Sequence, residues 1–202
     1  RQQVEYSKET ANFDFDHDGR ARLRRTTDNE DNPVLFYRPT PGSDWTPVPK
    51  SLAGYDMSLV YVEADNNTAY AMIADGDEPE QLYKVDLAKG TRTKLAGRDD
   101  QDIASILYAG HDEPPFGVTY IEAKPTIEYF DPSSKGASLH AGLLKAFPGE
   151  MVSFLKWSDK GDKLLFYVWS DRDPGAWYVL DIGAGNKIQL IDRAKPWIKP
   201  ES

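Results

Sequence analysis

The sequence repeats one pattern without a gap, as YKVDLAKGTRTKL at residues 83–95 and as YVLDIGAGNKIQL at residues 178–190. Each copy places an aspartate before a turn and a glycine four residues later, as Asp86 and Gly90 do, between alternating apolar residues. Aspartate can hydrogen-bond to the backbone of its own turn, glycine supplies a positive φ, and alternating Tyr, Val and Leu are typical of strands. Each copy therefore predicts a β-hairpin, and two in-register copies predict a fold of repeated units.

Two looser copies extend the repeat, one at residues 127–132 and one at residues 34–37 with the turn that leads to Trp45. The spacing of the four copies is close to the ~40 to 50 residues of a four-stranded propeller blade. Further strand candidates precede the hairpins, at residues 21–26, 58–63, 68–74, 105–108, 117–123, 152–157 and 163–170. Helical spacing of apolar residues predicts one helix near 137–147. The predicted fold is all-β: a partial β-propeller of about four antiparallel blades with that inserted helix.

The composition is that of a folded protein, and it argues against a membrane span and against nucleic acid as a partner. Of 202 residues, 40% are hydrophobic, and no apolar run reaches the ~18 residues of a membrane span. Lys and Arg number 24 against 33 Asp and Glu, so the net charge of −9 disfavours nucleic acid. The absence of cysteine excludes disulfides and leaves a cytoplasmic and a periplasmic location open. No linker divides the chain, so residues 1–202 are predicted to be one propeller-like domain, and the start at Arg1 suggests a fragment.

Three segments resemble peptidases of the prolyl oligopeptidase family. They are FDHDGRARLR at 15–24, LYKVDL at 82–87, and WSDRDPGAWYVLD at 169–181 with its continuation RAKPWI at 193–198. The first two resemble blades of bacterial members. The third resembles the last blade before the hydrolase domain in members of the acylaminoacyl-peptidase and dipeptidyl-aminopeptidase type. The resemblance implies the C-terminal part of the N-terminal β-propeller of a serine peptidase, with an α/β-hydrolase domain expected after residue 202.

The catalytic serine of that family lies in a Gly-x-Ser-x-Gly elbow after a strand, followed along the chain by Asp and His. The nearest match here is GASLH at 136–140, where His140 stands in place of the closing glycine and the residues after Ser138 have helical spacing. No catalytic residue can be transferred from the family, and no cofactor is implied. We therefore expect this chain to have no catalytic activity of its own.

The resemblance implies that the chain gates or docks peptide substrates for a hydrolase domain of its own parent chain. Two other hypotheses stay open at this stage. One is a stand-alone propeller-like scaffold that binds a protein partner, and the other is a small hydrolase that pairs Ser138 with a histidine. Because an incomplete propeller leaves strand edges exposed, self-association through the blade edges is also expected.

The candidate contact residues are Arg20, Arg22 and Arg24, which alternate with apolar residues along a predicted strand. Alternation would place three guanidinium groups on one face, suited to a carboxylate or a neighbouring domain. The acidic segment at 28–31 offers a simpler interpretation, in which the arginines form a hydrated, salt-bridged edge.

Other polar clusters predict no site. Asp14, Asp16, Asp18 and Gly19 begin like a calcium loop, but Arg25 stands where the bidentate carboxylate belongs, so no metal is predicted. The three histidines lie in different segments, and the cluster around His111 is typical of a surface loop. The five tryptophans are expected in the core; they are Trp45, Trp157, Trp169, Trp177 and Trp197.

Overall fold

The computed structural model describes residues 10–40, 42–110, 113–121 and 125–197. The chain divides into two compact units, Arg1–Ser105 and Ile106–Ser202. Within the described residues, strands form four antiparallel sheets, and each sheet is a meander in which strands pair in chain order. The all-β prediction is confirmed, whereas the assignment of residues 1–202 to one domain stays a prediction.

The first unit contains two four-stranded sheets and one short helix. The first sheet is β1 (Asn12–Phe15), β2 (Ala21–Thr27), β3 (Pro33–Tyr37) and β4 (Thr46–Pro47). Helix α1 (Lys50–Ala53) leads to the second sheet, which is β5 (Asp56–Val62), β6 (Thr68–Ala74), β7 (Gln81–Asp86) and β8 (Thr91–Ala96). The two sheets pack through a shared core that includes Leu23 and Leu35 of the first sheet and Met57, Ile73 and Val85 of the second.

The second unit contains a three-stranded sheet, one helix and a four-stranded sheet. The third sheet is β9 (Ser105–Tyr108), β10 (Pro115–Tyr120) and β11 (Thr126–Tyr129). Helix α2 (Lys135–Ala146) follows, and the fourth sheet is β12 (Met151–Trp157), β13 (Lys163–Trp169), β14 (Ala176–Asp181) and β15 (Lys187–Arg193). Leu143 of α2 packs with Leu164 and Phe166 of β13 in the main core of this unit.

The two hairpins predicted from the repeat form with the expected turn chemistry. The carboxylate of Asp86 accepts the N–H of Lys89, and that of Asp181 accepts the N–H of Ala184, both at 3.0 Å. Gly90 has a φ of 64°, which explains why a glycine follows the aspartate at this spacing. The turn residues of both copies therefore do what the sequence pattern predicts.

The structure also departs from the sequence predictions in three places. The looser copy at 127–132 does not return as a hairpin: Ser134 caps α2, and this helix takes the place in chain order of a fourth strand. The sequence pattern predicts neither strand β1 nor helix α1. The core assignment of the tryptophans is wrong for Trp197, whose side chain is 75% exposed because the chain has left β15 before this residue is reached. It is also wrong for Trp177, which is half-buried on the side of the fourth sheet away from the core.

Candidate functional site

The three candidate arginines lie at the start of β2, but Arg22 is buried. Its side chain is inaccessible to solvent, as is the carboxylate of Asp16, whose Oδ2 lies 3.4 Å from Nη1. Nε donates to the backbone oxygen of Arg38 at 2.9 Å, and Nη2 donates to that of Pro39 at 2.8 Å. Nη1 also donates to the backbone oxygen of Asn66. Burial lowers the pKa of the Arg22 guanidinium, and the hydrogen bond to Asp16 opposes that shift.

The turn between β1 and β2 supplies the partner of this buried cation. Oδ1 of Asp16 accepts the backbone N–H of Arg20 at 2.8 Å, so one carboxylate closes the turn and meets Arg22. Asp14 accepts the backbone N–H of Leu59 at 3.0 Å, and Asp18 accepts the side-chain amide of Asn66 at 3.1 Å. The aspartates of the calcium-like segment are thus engaged with different groups of the first unit.

A hydrated, salt-bridged edge is therefore the wrong description of Arg22. Arg20 does fit that description, because it is exposed and its only ion pair within the described residues is with Asp18, at 3.4 Å. The acidic segment at 28–31 serves its own turn: Asp28 accepts the backbone N–H groups of Glu30 and Asn32 at 2.8 and 2.9 Å. A contact role stays a prediction for Arg20 and Arg24 only.

Arg24 lies in a group of aromatic side chains on the first sheet. Its Cζ is 4.3 Å from the ring centroid of Phe36, its cross-strand neighbour, and 5.7 Å from that of Trp45. Arg38 is over the same indole, with Cζ 4.1 Å from the centroid, and Phe13 lies 6.0 Å from it. We call this group the arginine–aromatic face: Phe13, Arg24, Phe36, Arg38 and Trp45. Both guanidinium groups are within the ~6 Å range of cation–π attraction.

Sequence reasoning finds only one member of this face. Alternation along its strand identifies Arg24, but the same reasoning interprets Phe36 and Trp45 as hairpin residues and does not single out Arg38. The available signal is the β2–β3 register, in which Arg24 opposes Phe36. Such a register depends on the turn at residues 28–32, and alternation within one strand cannot supply it.

A second exposed region lies on the fourth sheet, on the side away from the core. We call it the open face: Leu165, Tyr167, Trp177, Val179, Gln189 and Ile191. These positions alternate with core residues such as Phe166, and Tyr167 meets Trp177 with ring centroids 5.1 Å apart. A shallow depression of about 360 Å³ on this side is lined in part by Val179, Gln189 and Ile191. Lys163, Asp181 and Lys187 also line the depression, so its lining contains charged as well as apolar side chains.

The hypothesis that pairs Ser138 with a histidine is not supported by the geometry of α2. Ser138 is exposed and donates its hydroxyl to the backbone oxygen of Pro132 at 3.3 Å. His140 is buried; its Nε2 is 2.8 Å from the backbone oxygen of Val152, and its Nδ1 is 2.8 Å from the hydroxyl of Tyr129. Residues two positions apart on a helix do not face each other. Both ring nitrogens of this histidine are therefore used in packing α2 against its neighbours.

The other histidines add no site to the described part of the chain. His17 is exposed in the turn before β2, and the predicted surface cluster at His111 lies outside the described residues. Within the described ranges, no three His, Asp or Glu side chains are grouped so that they could hold a metal ion.

Comparisons with known proteins give a likeness of fold. No protein-family model matches the sequence, and no curated protein matches it. A solved prolyl endopeptidase matches with a TM-score of 0.52 and 15% identity, over 95% of this chain and 27% of that chain. TolB from Acinetobacter baumannii matches with a TM-score of 0.36 and 12% identity, over 92% of this chain and 44% of that chain. The chain thus spans about a quarter of the length of the prolyl endopeptidase.

The likeness to the prolyl endopeptidase covers nearly the whole chain and identifies the sheets as β-propeller blades. The predicted fold of about four antiparallel blades with one inserted helix is confirmed. No helix of the described ranges is long and apolar enough to cross a membrane.

Proposed function

We propose that this chain is a non-catalytic β-propeller portion of a serine peptidase of the prolyl oligopeptidase family. Its role is to dock or gate peptide substrates for a hydrolase domain of the parent protein. The observation that carries the proposal is the match of all four sheets to a prolyl endopeptidase of which this chain spans only 27%. A propeller of that kind selects by size, because its channel admits extended chains and excludes folded proteins.

The chemistry of the described side chains supports a non-catalytic role. The serine and the histidine nearest to a nucleophile and base, Ser138 and His140, are bonded to different backbone carbonyls. The buried cation Arg22 donates to three backbone carbonyl oxygens and pairs with Asp16. These groups stabilise turns and helix packing, and they leave no activated nucleophile of the kind that covalent catalysis needs. The isolated chain is expected to hydrolyse no peptide.

A narrower assignment, to members of the acylaminoacyl-peptidase and dipeptidyl-aminopeptidase type, rests on the segment at 169–181. This segment forms a defined turn between β13 and β14. Ser170 Oγ accepts the backbone N–H of Asp173 at 3.1 Å, and Asp173 accepts that of Gly175 at 2.8 Å. Gly175 has a φ of 105°, and a Cβ there would lie 2.5 Å from the backbone oxygen of Val168, so the glycine is required. A demanding turn explains why this segment is the most specific part of the resemblance.

The experiment that tests the proposal is fluorophosphonate labelling of the native protein, immunoprecipitated from its source cells, with intact mass read on the same sample. A labelled species much larger than 22.7 kDa supports a serine hydrolase parent. Competition of the label by N-acetylated peptides or by free dipeptidyl amides then separates the two narrower types. An unlabelled native protein of about this mass overturns the proposal and favours the stand-alone scaffold.

A further inference from the structure

We propose that the outer edge of β15 binds the same edge of a second copy of this chain, in an antiparallel pair centred on Gln189. The pair joins two four-stranded sheets into one continuous sheet. The proposal does not depend on a hydrolase domain. It goes beyond peptide docking, because it assigns a partner, a symmetry and a register to one strand.

The first argument is the state of this edge. In the part of the chain that the structure describes, β15 pairs only with β14, so no strand covers its other edge. Leu190 and Ile191 of this strand are exposed. In β8, the matching last strand of the second sheet, the exposed residues are polar: Thr91, Thr93 and Lys94. Apolar side chains thus interrupt the polar cover of the β15 edge, and such edges pair with other chains.

The second argument is symmetry. Two identical strands form a closed pair only if residue i of one copy opposes residue j of the other and j opposes i. In an antiparallel pair, opposite side chains lie on the same face of the sheet, and successive side chains alternate between the faces. Residues i and j are therefore an even number of positions apart. It follows that one residue of the strand must oppose its own copy on the symmetry axis.

Gln189 is the residue that best fits this axis. The overlap then runs from Lys187 to Ile191, and Ile188 opposes Leu190 twice. Ile188 packs against the core of the second unit, and Leu190 lies on the same side of the sheet, opposite Tyr178. These pairs extend that core across the contact. At each end the aliphatic stem of Lys187 lies across from Ile191, and no two like charges meet.

The neighbouring registers are less favourable. With Leu190 on the axis, Lys187 would oppose Arg193 twice, and like charges directly opposite each other are destabilising. That overlap would also pass through the β-bulge of this strand, whereas the chosen overlap ends at it. With Ile188 on the axis, the overlap of the two strands would shorten to residues 187–189.

The third argument concerns charge. A net charge of −9 makes two copies repel each other, but this repulsion is screened beyond about 10 Å at 0.1 M salt. The overlap itself carries only the charge of Lys187, whose cross-strand neighbour on β14 is Asp181. The contact is therefore close to neutral where the two copies meet.

The test of the register is disulfide cross-linking of variants with one cysteine each, since the 202-residue chain has none of its own. The oxidant is copper phenanthroline. Gln189→Cys should form a covalent dimer at least about tenfold faster than Lys187→Cys. Opposite Cα atoms in an antiparallel pair lie about 4.5–5.5 Å apart, within the range of a disulfide, whereas the two Lys187 positions would be about 13 Å apart along the strands.

A second cross-link distinguishes edge pairing from stacking of the open faces. Ile188→Cys mixed with Leu190→Cys should cross-link faster than either variant alone, because the two residues oppose each other on the core side of the sheet. Contact between the open faces would not bring these two positions together, so a mixture that is no faster than the single variants overturns the proposal.

Charges on the axis provide a test without cysteine. Gln189→Lys and Gln189→Glu should each weaken dimerisation by about two- to fivefold in sedimentation velocity, and an equal mixture of the two should restore it. Thr93→Lys and Thr93→Glu, at an exposed position of β8, are the matched controls and should change nothing. A monomer at every concentration, cross-linking of Lys187→Cys as fast as that of Gln189→Cys, or a mixture as weak as its components overturns the proposal.

Discussion

Three neighbouring arginines at and just before the start of β2 have different environments. Arg20 is exposed beside Asp18, Arg22 is buried among carbonyl oxygens and Asp16, and Arg24 lies against aromatic rings. Alternation places side chains on one side of a strand, but it does not say what lies above them. The turn at Asp16 and the backbone at residues 38–39 determine which of the three is enclosed. The same residue type is therefore hydrated in one position, part of a buried ion pair in the next, and stacked on aromatic rings in the third.

Replacement of Arg22 by Ala should strongly destabilise the first unit. The change leaves the buried carboxylate of Asp16 without its cation and removes donors from the backbone oxygens of Arg38 and Pro39. Removing one partner of a buried ion pair costs about 3–5 kcal/mol, whereas an exposed pair contributes about 0–1 kcal/mol. Urea unfolding of each variant of the 202-residue chain measures its loss in free energy of unfolding. Arg20→Ala is the matched control, and equal losses for the two variants would contradict the buried network.

His140 should make the stability of the second unit depend on pH. Because the backbone oxygen of Val152 can only accept, Nε2 carries a proton, and in the neutral ring Nδ1 accepts from the hydroxyl of Tyr129. Burial lowers its pKa below the usual 6.5, although the bond to Val152 opposes the shift. Below pH 6.5 the unfolded state binds a proton that the folded state does not, so stability is full above that pH and falls as the pH decreases.

We expect the free energy of unfolding to decrease between pH 6.5 and 5 by at most about 1.4 kcal/mol per pH unit. Urea unfolding at a series of pH values measures this slope. In His140→Gln the slope over this range should disappear, whatever the absolute stability of the variant, and in His17→Gln it should remain, because that ring is exposed. An unchanged slope in His140→Gln would show that another group titrates.

At the scale of elements, the sequence predicts those features that depend on local chemistry. The hairpins of the two close copies form as expected, because aspartate and glycine determine each turn within a few residues. The helix near 137–147 is also found, at Lys135–Ala146, because its apolar spacing is a local signal. The sequence does not reveal strand β1, since its four residues pair with β2 across a bulge at Asp14 and Phe15. Nor does it reveal the aromatic neighbours of Arg24, because they come from other strands.

One chemical change, glycine to alanine, should have opposite effects in two elements. Gly90 has a φ of 64° in the β7–β8 turn, where a Cβ is strained, so Gly90→Ala should destabilise the protein by about 1 kcal/mol. Gly142 is exposed on α2 with nothing within 4 Å of an added Cβ, so Gly142→Ala should stabilise it by about 0.5–1 kcal/mol. Thermal or urea unfolding of the two variants decides this. Shifts of the same sign would mean that backbone conformation is not the cause.

At the scale of the whole molecule, the last strands of the first and fourth sheets differ in length and in the exposure of apolar side chains. In the first sheet the last strand, β4, is two residues long and contains Pro47, which limits pairing with another chain. In the fourth sheet the last strand, β15, has seven residues, and its Leu190 and Ile191 are 45% and 54% exposed. Long, apolar edge strands are prone to pair with other chains. Of these two last strands, β15 is therefore the better suited to self-association, and it contributes Gln189 and Ile191 to the open face.

We expect the isolated chain to self-associate through β15 and the open face, with Ile191 at the contact. Burial of one such side chain contributes about 1.5–3 kcal/mol, so Ile191→Lys should weaken association by at least about tenfold. Sedimentation velocity over a wide concentration range measures this. Ile121→Lys is the matched control, because Ile121 is 71% exposed just after β10 and does not belong to the open face, so its association should equal that of wild type. A strict monomer at every concentration would contradict self-association and show that exposed apolar residues on β15 are tolerated in solution. Equal weakening of association by Ile191→Lys and Ile121→Lys would place the contact away from β15.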